Sequence, residues 1–186
     1  MQTAVSCARA GRPYVSGVTD LTTEQLAQLQ AAATIISLLY SRNMSVGLNA
    51  LLPALPVLVR LLWGYDVEIV ESNHRRKTDA PSGTALALAQ AIAGVPDVEL
   101  GDHAVFGRHG YGFGATGEIG IHAVRGGGNA GEHEIILSTD GEEIRGTHRA
   151  FDRCAFAQGA LAPSAFVSCQ PAGFYSMADV ARTSTP

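Results

Sequence analysis

Between Ile69 and Ala85 the chain reads I-V-E-S-N-H-R-R-K-T-D-A-P-S-G-T-A, and this stretch sets strand, loop and helix in that order. Asp66 to Glu71 has strand character, with Val67, Ile69 and Val70 supplying β-branched bulk. A loop carrying His74, Arg75, Arg76 and Lys77 runs on to Pro81. A helix opens there: Ser82 is a favoured N-cap, Ala85 to Ala93 is rich in helix formers, and Gly94 suits the position just past a helix end.

The first amides of such a helix, around Gly83 and Thr84, have no partner within it. They face a neighbourhood of cations, so the helix dipole and Lys77 attract the same charge and a small anion fits between them. The residues alone also allow a plainer reading, a solvated basic loop followed by an ordinary helix start.

Composition sets the bounds. The chain has 186 residues, enough for one or two domains with a sizeable core. A hydrophobic share of 46% with 16% charged residues describes a globular protein, and a formal net charge of −4 argues against general nucleic-acid binding. Cys7, Cys154 and Cys169 form neither a paired framework nor a metal-ligand spacing, which points to reduced thiols in the cytoplasm. Met1 to Gly17 lacks the basic start and apolar run of a signal peptide. The most apolar stretch, Ala50 to Trp63, is broken by Pro53, Pro56 and Arg60, so it reads as a buried helix and not a membrane span. His103, His109, His122, His133 and His148 lack the i, i+4 spacing of a helical metal site, and no metal is expected.

Along the chain, Thr3 to Ala10 reads as a helix end and Pro13 to Ser16 as a short strand. Thr22 and Gln25 form a capping-box pattern for a helix reaching about Ala33, and Ile35 to Tyr40 reads as a buried strand. Ser45 to Trp63 reads as a helix with a kink or break at its prolines. Glu118 to Val124, Glu132 to Thr139 and Glu142 to Arg149 read as strands, with a tight turn at Asp140-Gly141. Arg153 to Leu161 reads as helical, with Pro163 ending or bending the element. A G-x-G-x-x-G string at Gly112, Gly114 and Gly117 runs into strand residues and so fails as a phosphate loop.

The pattern E-x-x-H-x-x-K-x-D-A-P-S-G-T-A resembles the signature of the dihydrodipicolinate reductase family. The likeness continues through Gly117-Glu118-Ile119-Gly120, Arg125-Gly126-Gly127, Gly131-Glu132-His133 and Thr147-His148-Arg149. It implies an α/β protein: a partial Rossmann-type nucleotide domain beside an α+β substrate domain with a mixed sheet. Residues 1–44 would be a remnant of the dinucleotide-binding domain, and 45–152 the substrate-binding and oligomerisation domain. The segment 153–186 would return to the nucleotide domain.

The implied reaction is reduction of a cyclic imine dicarboxylate, 4-hydroxy-tetrahydrodipicolinate, by NADH or NADPH in lysine and diaminopimelate biosynthesis. The implied assembly is a cytoplasmic homotetramer. His74, Lys77, Ser82, Gly83 and Thr84 match the family's substrate contacts, with His74 and Lys77 as the catalytic pair. Gly17-Val18-Thr19 and Ser41-Arg42-Asn43-Met44 resemble its contacts to the nicotinamide end of the cofactor, and Arg153 matches an arginine near the active site.

The chain departs from the family in two ways. No glycine-rich phosphate loop opens it, so it reads as N-terminally shortened. Asn73 also stands where the family has the first of two adjacent histidines, its proposed general acid. An amide cannot supply a proton near neutral pH, whereas an imidazole can. Binding is therefore expected to survive better than turnover, and the alternative is a catalytically silent oligomeric dicarboxylate-binding module.

Overall fold

The computed structural model describes residues 2–19, 21–94 and 100–183. In chain order the elements begin with helix α1 (Gln2–Arg9), strand β1 (Tyr14–Ser16), helix α2 (Thr23–Ala33) and strand β2 (Ser37–Tyr40). Helix α3 (Val46–Leu61) leads to strand β3 (Asp66–Asn73) and helix α4 (Gly83–Ala93). A single 3-10 turn at Gly101–His103 precedes strands β4 (Ala104–Phe106), β5 (Ile119–Arg125), β6 (Gly131–Ser138) and β7 (Glu143–Ala150). Helices α5 (Cys154–Gly159) and α6 (Leu161–Ser168), strand β8 (Gly173–Tyr175) and helix α7 (Met177–Thr183) follow.

These elements divide into two compact units, Met1–Ala50 with Cys154–Pro186, and Leu51–Arg153, the division falling inside α3. The first holds a three-stranded parallel sheet in the order β1-β2-β8. Successive strand residues point to opposite faces, and the middle strand shows the consequence. Leu38 joins Ala4, Leu29, Ala32 and Ala33 in one cluster, while Leu39 joins Met44, Val167, Met177 and Val180 in another. Helices α1 and α2 therefore cover one face and α6 and α7 the other. Helix α2 starts on the capping box of Thr22 and Gln25 that the sequence predicts.

The second unit is built on a five-stranded mixed sheet in the order β4-β5-β3-β6-β7. Strands β4, β5 and β3 run parallel, and β6 and β7 antiparallel to their neighbours. In β3, Val67, Ile69, Glu71 and Asn73 fall on the buried side, opposite alternating buried residues of β6. Helix α4 lies on β3 and β5 and buries Ala85, Leu88, Ala89 and Ile92. Its end is the left-handed Gly94, with φ 71°.

Several expectations are corrected. Of the kink or break expected at the prolines, the break is absent: α3 runs on across Pro53 and Pro56. Each proline withholds a donor from a carbonyl four residues back, Asn49 for Pro53 and Leu52 for Pro56. Nor is Ala50 to Trp63 a buried helix: Leu61 is 78% and Trp63 91% exposed. Strand β2 begins at Ser37, and Ile35 is 65% exposed. Pro163 does not end the element: the helical stretch breaks at Ala160, and Pro163 is the third residue of α6, where a backbone N–H has no helical partner to lose. The string Gly112, Gly114 and Gly117 lies in coil ahead of β5, with no helix after it. Strands β4 and β8, each three residues long, and helix α7 were not visible in the sequence pattern.

Candidate active site

Strand β3 hands its chemistry to α4 through one buried carboxylate. Glu71 is 0% exposed, and alternation puts it on the same face as Val67 and Ile69. Ser82 N–H donates to Glu71 Oε1 at 2.8 Å, and Arg125 Nη2 donates to the same oxygen at 2.6 Å. Asn73 Nδ2 donates to Oε2 at 2.8 Å. Arg125 Nη2 also reaches the Asp79 carbonyl at 2.7 Å. A buried carboxylate is tolerable only when opposite charge and donors converge on it, and here both do.

The loop between β3 and α4 is fixed at its start by backbone bonds. Lys77 N–H donates to the His74 carbonyl at 3.0 Å, closing a turn. Gly126 N–H donates to Asn73 O, and Arg75 N–H to Gly127 O, so the glycine stretch after β5 holds this turn. Arg75 and Arg76 are exposed. His74 is half-buried, with Nδ1 buried and lacking a hydrogen-bond partner among the described residues. Asn73 is 5% exposed and turned onto Glu71, so it is committed to the protein interior.

Lys77 Nζ lies 2.7 Å from Asp79 Oδ1 and 2.9 Å from Oδ2. Burial alone would raise the Asp79 carboxyl, but Lys77, the Asp79 amide and the Gly83 amide outweigh it and hold it below the usual range. The Asp79 carboxylate thus sits against Lys77 and the first amide of α4. Gly83 is half-buried, and a side chain there would meet nothing within 4 Å.

Ser82 caps α4, its Oγ accepting from Ala85 N–H at 3.1 Å. Its hydroxyl lies 3.2 Å from His133 Nε2. Burial pushes the His133 imidazole down to about 4, against the attraction of Glu71 and helped by His148, Lys77 and Arg125. In the neutral tautomer that carries its proton on Nδ1, His133 accepts at Nε2 from the Ser82 hydroxyl. Burial lowers His148 as well, its ring centroid 6.3 Å from that of His133.

The expected substrate residues His74, Lys77, Ser82, Gly83 and Thr84 therefore occupy one loop and the helix start that follows it. Among them, Ser82 has its amide and hydroxyl both engaged inside the protein. Lys77 has a partner carboxylate in Asp79. Glu71, Asp79 and His133 were not singled out as site residues, and Arg125 only as the start of a stretch that reads as a flexible loop or a pocket edge. Glu71 had a signal: a charge at an apolar position of an alternating strand is costly and calls for a partner.

The expected cofactor segments lie in the other unit. Ser16 pairs with Tyr40 in the parallel sheet, so Gly17-Val18-Thr19 and Ser41-Arg42-Asn43-Met44 leave the same carboxyl edge side by side. Ser41 N–H donates to Ser16 O at 3.1 Å. A Cβ on Gly17 would stand 3.5 Å from the Met44 side chain. The second segment is internally braced: Ser41 Oγ donates to Asn43 O at 2.7 Å, and Asn49 Nδ2 to the same carbonyl at 2.7 Å. Ser16 is 2% exposed and its Oγ has no partner among the described residues. Ligands of open parallel sheets bind outside this edge, so the arrangement fits a dinucleotide's end. Arg153 is exposed and immediately precedes α5. Among the described residues there is no group of three metal-ligating side chains.

Comparison with known proteins agrees on one family. The profile described as dihydrodipicolinate reductase, C-terminus, matches residues 47–181. The 4-hydroxy-tetrahydrodipicolinate reductase of Rubrobacter xylanophilus is 46% identical over 175 residues, covering 94% of this chain and 67% of that protein. The enzyme of the same name from Burkholderia vietnamiensis is 46% identical over 172 residues, covering 89% of this chain and 63% of the relative. The chain thus spans about two thirds of the length of these relatives. A solved structure described as dipicolinate-bound dihydrodipicolinate reductase from Paenisporosarcina sp. TG-14 shares the fold, with a TM-score of 0.68 at 24% identity. That match covers 94% of this chain and 66% of the other.

Proposed function

This chain belongs to the dihydrodipicolinate reductase family, and from that premise we propose that it holds the dicarboxylate-binding part of a 4-hydroxy-tetrahydrodipicolinate reductase. The reaction is reduction of a cyclic imine dicarboxylate by NADH or NADPH in lysine and diaminopimelate biosynthesis. One observation carries the reading. A carboxylate, that of Asp79, already rests against Lys77 and the Gly83 amide, so the place is built for that group.

Lys77 takes one substrate carboxylate by a charge-assisted hydrogen bond, with the amides and hydroxyl of Gly83 and Thr84 beside it. Bound NADH or NADPH supplies the hydride. Gly17, Val18, Thr19, Ser41, Arg42, Asn43 and Met44 hold its nicotinamide end, with Arg153 as a further contact. Fixed cations at the ring stabilise charge that develops during transfer. Asn73 cannot release a proton, so the proton comes from Lys77 Nζ or from His74, whose Nδ1 is buried and unsatisfied. Ser82 sets the start of α4 and takes no direct part in proton transfer.

Residues 1–44 and 153–186 form the nucleotide side in this reading, and 45–152 the substrate side. A homotetramer is the proposed assembly, which would cover apolar surface left open in one chain, such as Val124 and Phe151. The proposed location is the cytoplasm. The cysteines are free, and no helix of the described residues is long and apolar enough to cross a membrane.

Calorimetric titration with 2,6-pyridinedicarboxylate, beside an assay of NADH and NADPH oxidation on the cyclic imine substrate, tests the proposal. Saturable diacid binding with nucleotide oxidation supports it. Binding without oxidation selects the silent module, and no binding overturns the reading.

A further inference from the structure

We propose that Glu71 is the positioning residue of the dicarboxylate pocket and that it works as one device with Arg125. The inference rests on the functional reading above and goes beyond it, since neither residue reaches the ligand in that reading.

The argument begins with where the bonds of Glu71 end. Its carboxylate takes Asn73 at the end of β3, Arg125 at the end of β5 and the Ser82 amide at the start of α4. The loop that carries His74 and Lys77 is thus bracketed at both ends by one buried group. Arg125 adds a third hold on the same loop through the Asp79 carbonyl, and its side chain is largely buried. Lys77 reaches out from between these anchors, so its place depends on them.

Glu71 also decides which helix amides remain for a ligand. By drawing the Ser82 N–H inward, it leaves the Gly83 amide as the first one at the mouth of α4. The diacid then meets a short, fixed set of donors, and its spacing to Lys77 is set by a residue it never touches. A carboxylate is required for this. Three donors converge on its two oxygens, and an amide of the same shape would turn its own N–H groups toward one of them.

The test uses the full chain and two variants, Glu71→Gln and Arg125→Lys. The lysine keeps the charge but cannot span Glu71 and the Asp79 carbonyl together. Binding of 2,6-pyridinedicarboxylate is measured by calorimetry well below each variant's unfolding midpoint, so that only folded protein is compared. Each variant is expected to bind about tenfold more weakly, the loss typical of one hydrogen bond to a charged group. The double variant should bind no more weakly than the poorer single one, because the two residues act together. Exchange of the Ser82 amide hydrogen should quicken in Glu71→Gln, and Arg125→Lys stands alone should the first variant fail to fold. Variants with lowered unfolding midpoints and unchanged affinity overturn the positioning role. A wild-type chain that ignores the diacid overturns the functional reading and this inference with it. A wild-type chain that binds while both variants bind equally well overturns this inference alone.

Discussion

Lys77 Nζ lies 2.7 Å from Asp79 Oδ1, so the cation assigned to a substrate carboxylate already holds one of the protein's own. The pair is partly open to solvent, at 23% and 29% side-chain exposure. An ion pair of that kind is weak, on the order of 0–1 kcal/mol, and a ligand can displace it.

Removing the competitor should therefore help the ligand. Asp79→Asn is expected to tighten 2,6-pyridinedicarboxylate binding by about twofold to fivefold, the range such a pair can supply. Calorimetry checks this, and an unchanged or weaker affinity would show that Asp79 supports the pocket and does not compete for it.

The neutral, buried His133 makes stability depend on pH. Its pKa is about 4 in the folded chain against an ordinary value of 6.5. Between those values the unfolded chain binds the proton and the folded chain does not, so stability falls as pH drops from 6.5 to 4. The loss reaches on the order of 3 kcal/mol as pH falls to the folded value. His133→Gln should flatten this part of a plot of unfolding midpoint against pH. An unaltered slope would mean that the dependence comes from another group.

Gly159 supports the turn assigned to the cofactor. A Cβ there would fall 1.9 Å from the Met44 carbonyl oxygen and 2.9 Å from its carbon. Backbone cannot yield as a side-chain end can, so Gly159→Ala should cost about 1–3 kcal/mol, the usual penalty of overpacking. Urea unfolding measures it, and a wild-type midpoint would show that α5 moves freely away from Met44.

What the sequence makes legible is local and strongly patterned. The alternation in Val67, Ile69 and Glu71, the cap at Ser82 and the box of Thr22 and Gln25 are each encoded within a few residues, and each is present. What it hides is set by distant neighbours. Glu71 and Arg125 are 54 positions apart and meet only because β3 and β5 pair in parallel. His133 reaches Ser82 only because β6 lies on the other side of β3.

The apolar run up to Trp63 misled for a related reason. Composition reports how much surface wants cover, but not whether this chain supplies it. The strands Ala104–Phe106 and Gly173–Tyr175 are too short to show a period of two, and the second is held by a partner, Ser37–Leu39, far away in sequence.

The central claim is that Lys77 holds a carboxylate of a small diacid at the mouth of α4. Calorimetric titration of 2,6-pyridinedicarboxylate into the wild-type chain and into Lys77→Ala tests it directly. The account predicts a loss of about tenfold or more in affinity, the worth of one charge-assisted bond. Equal affinity in the two proteins would contradict it.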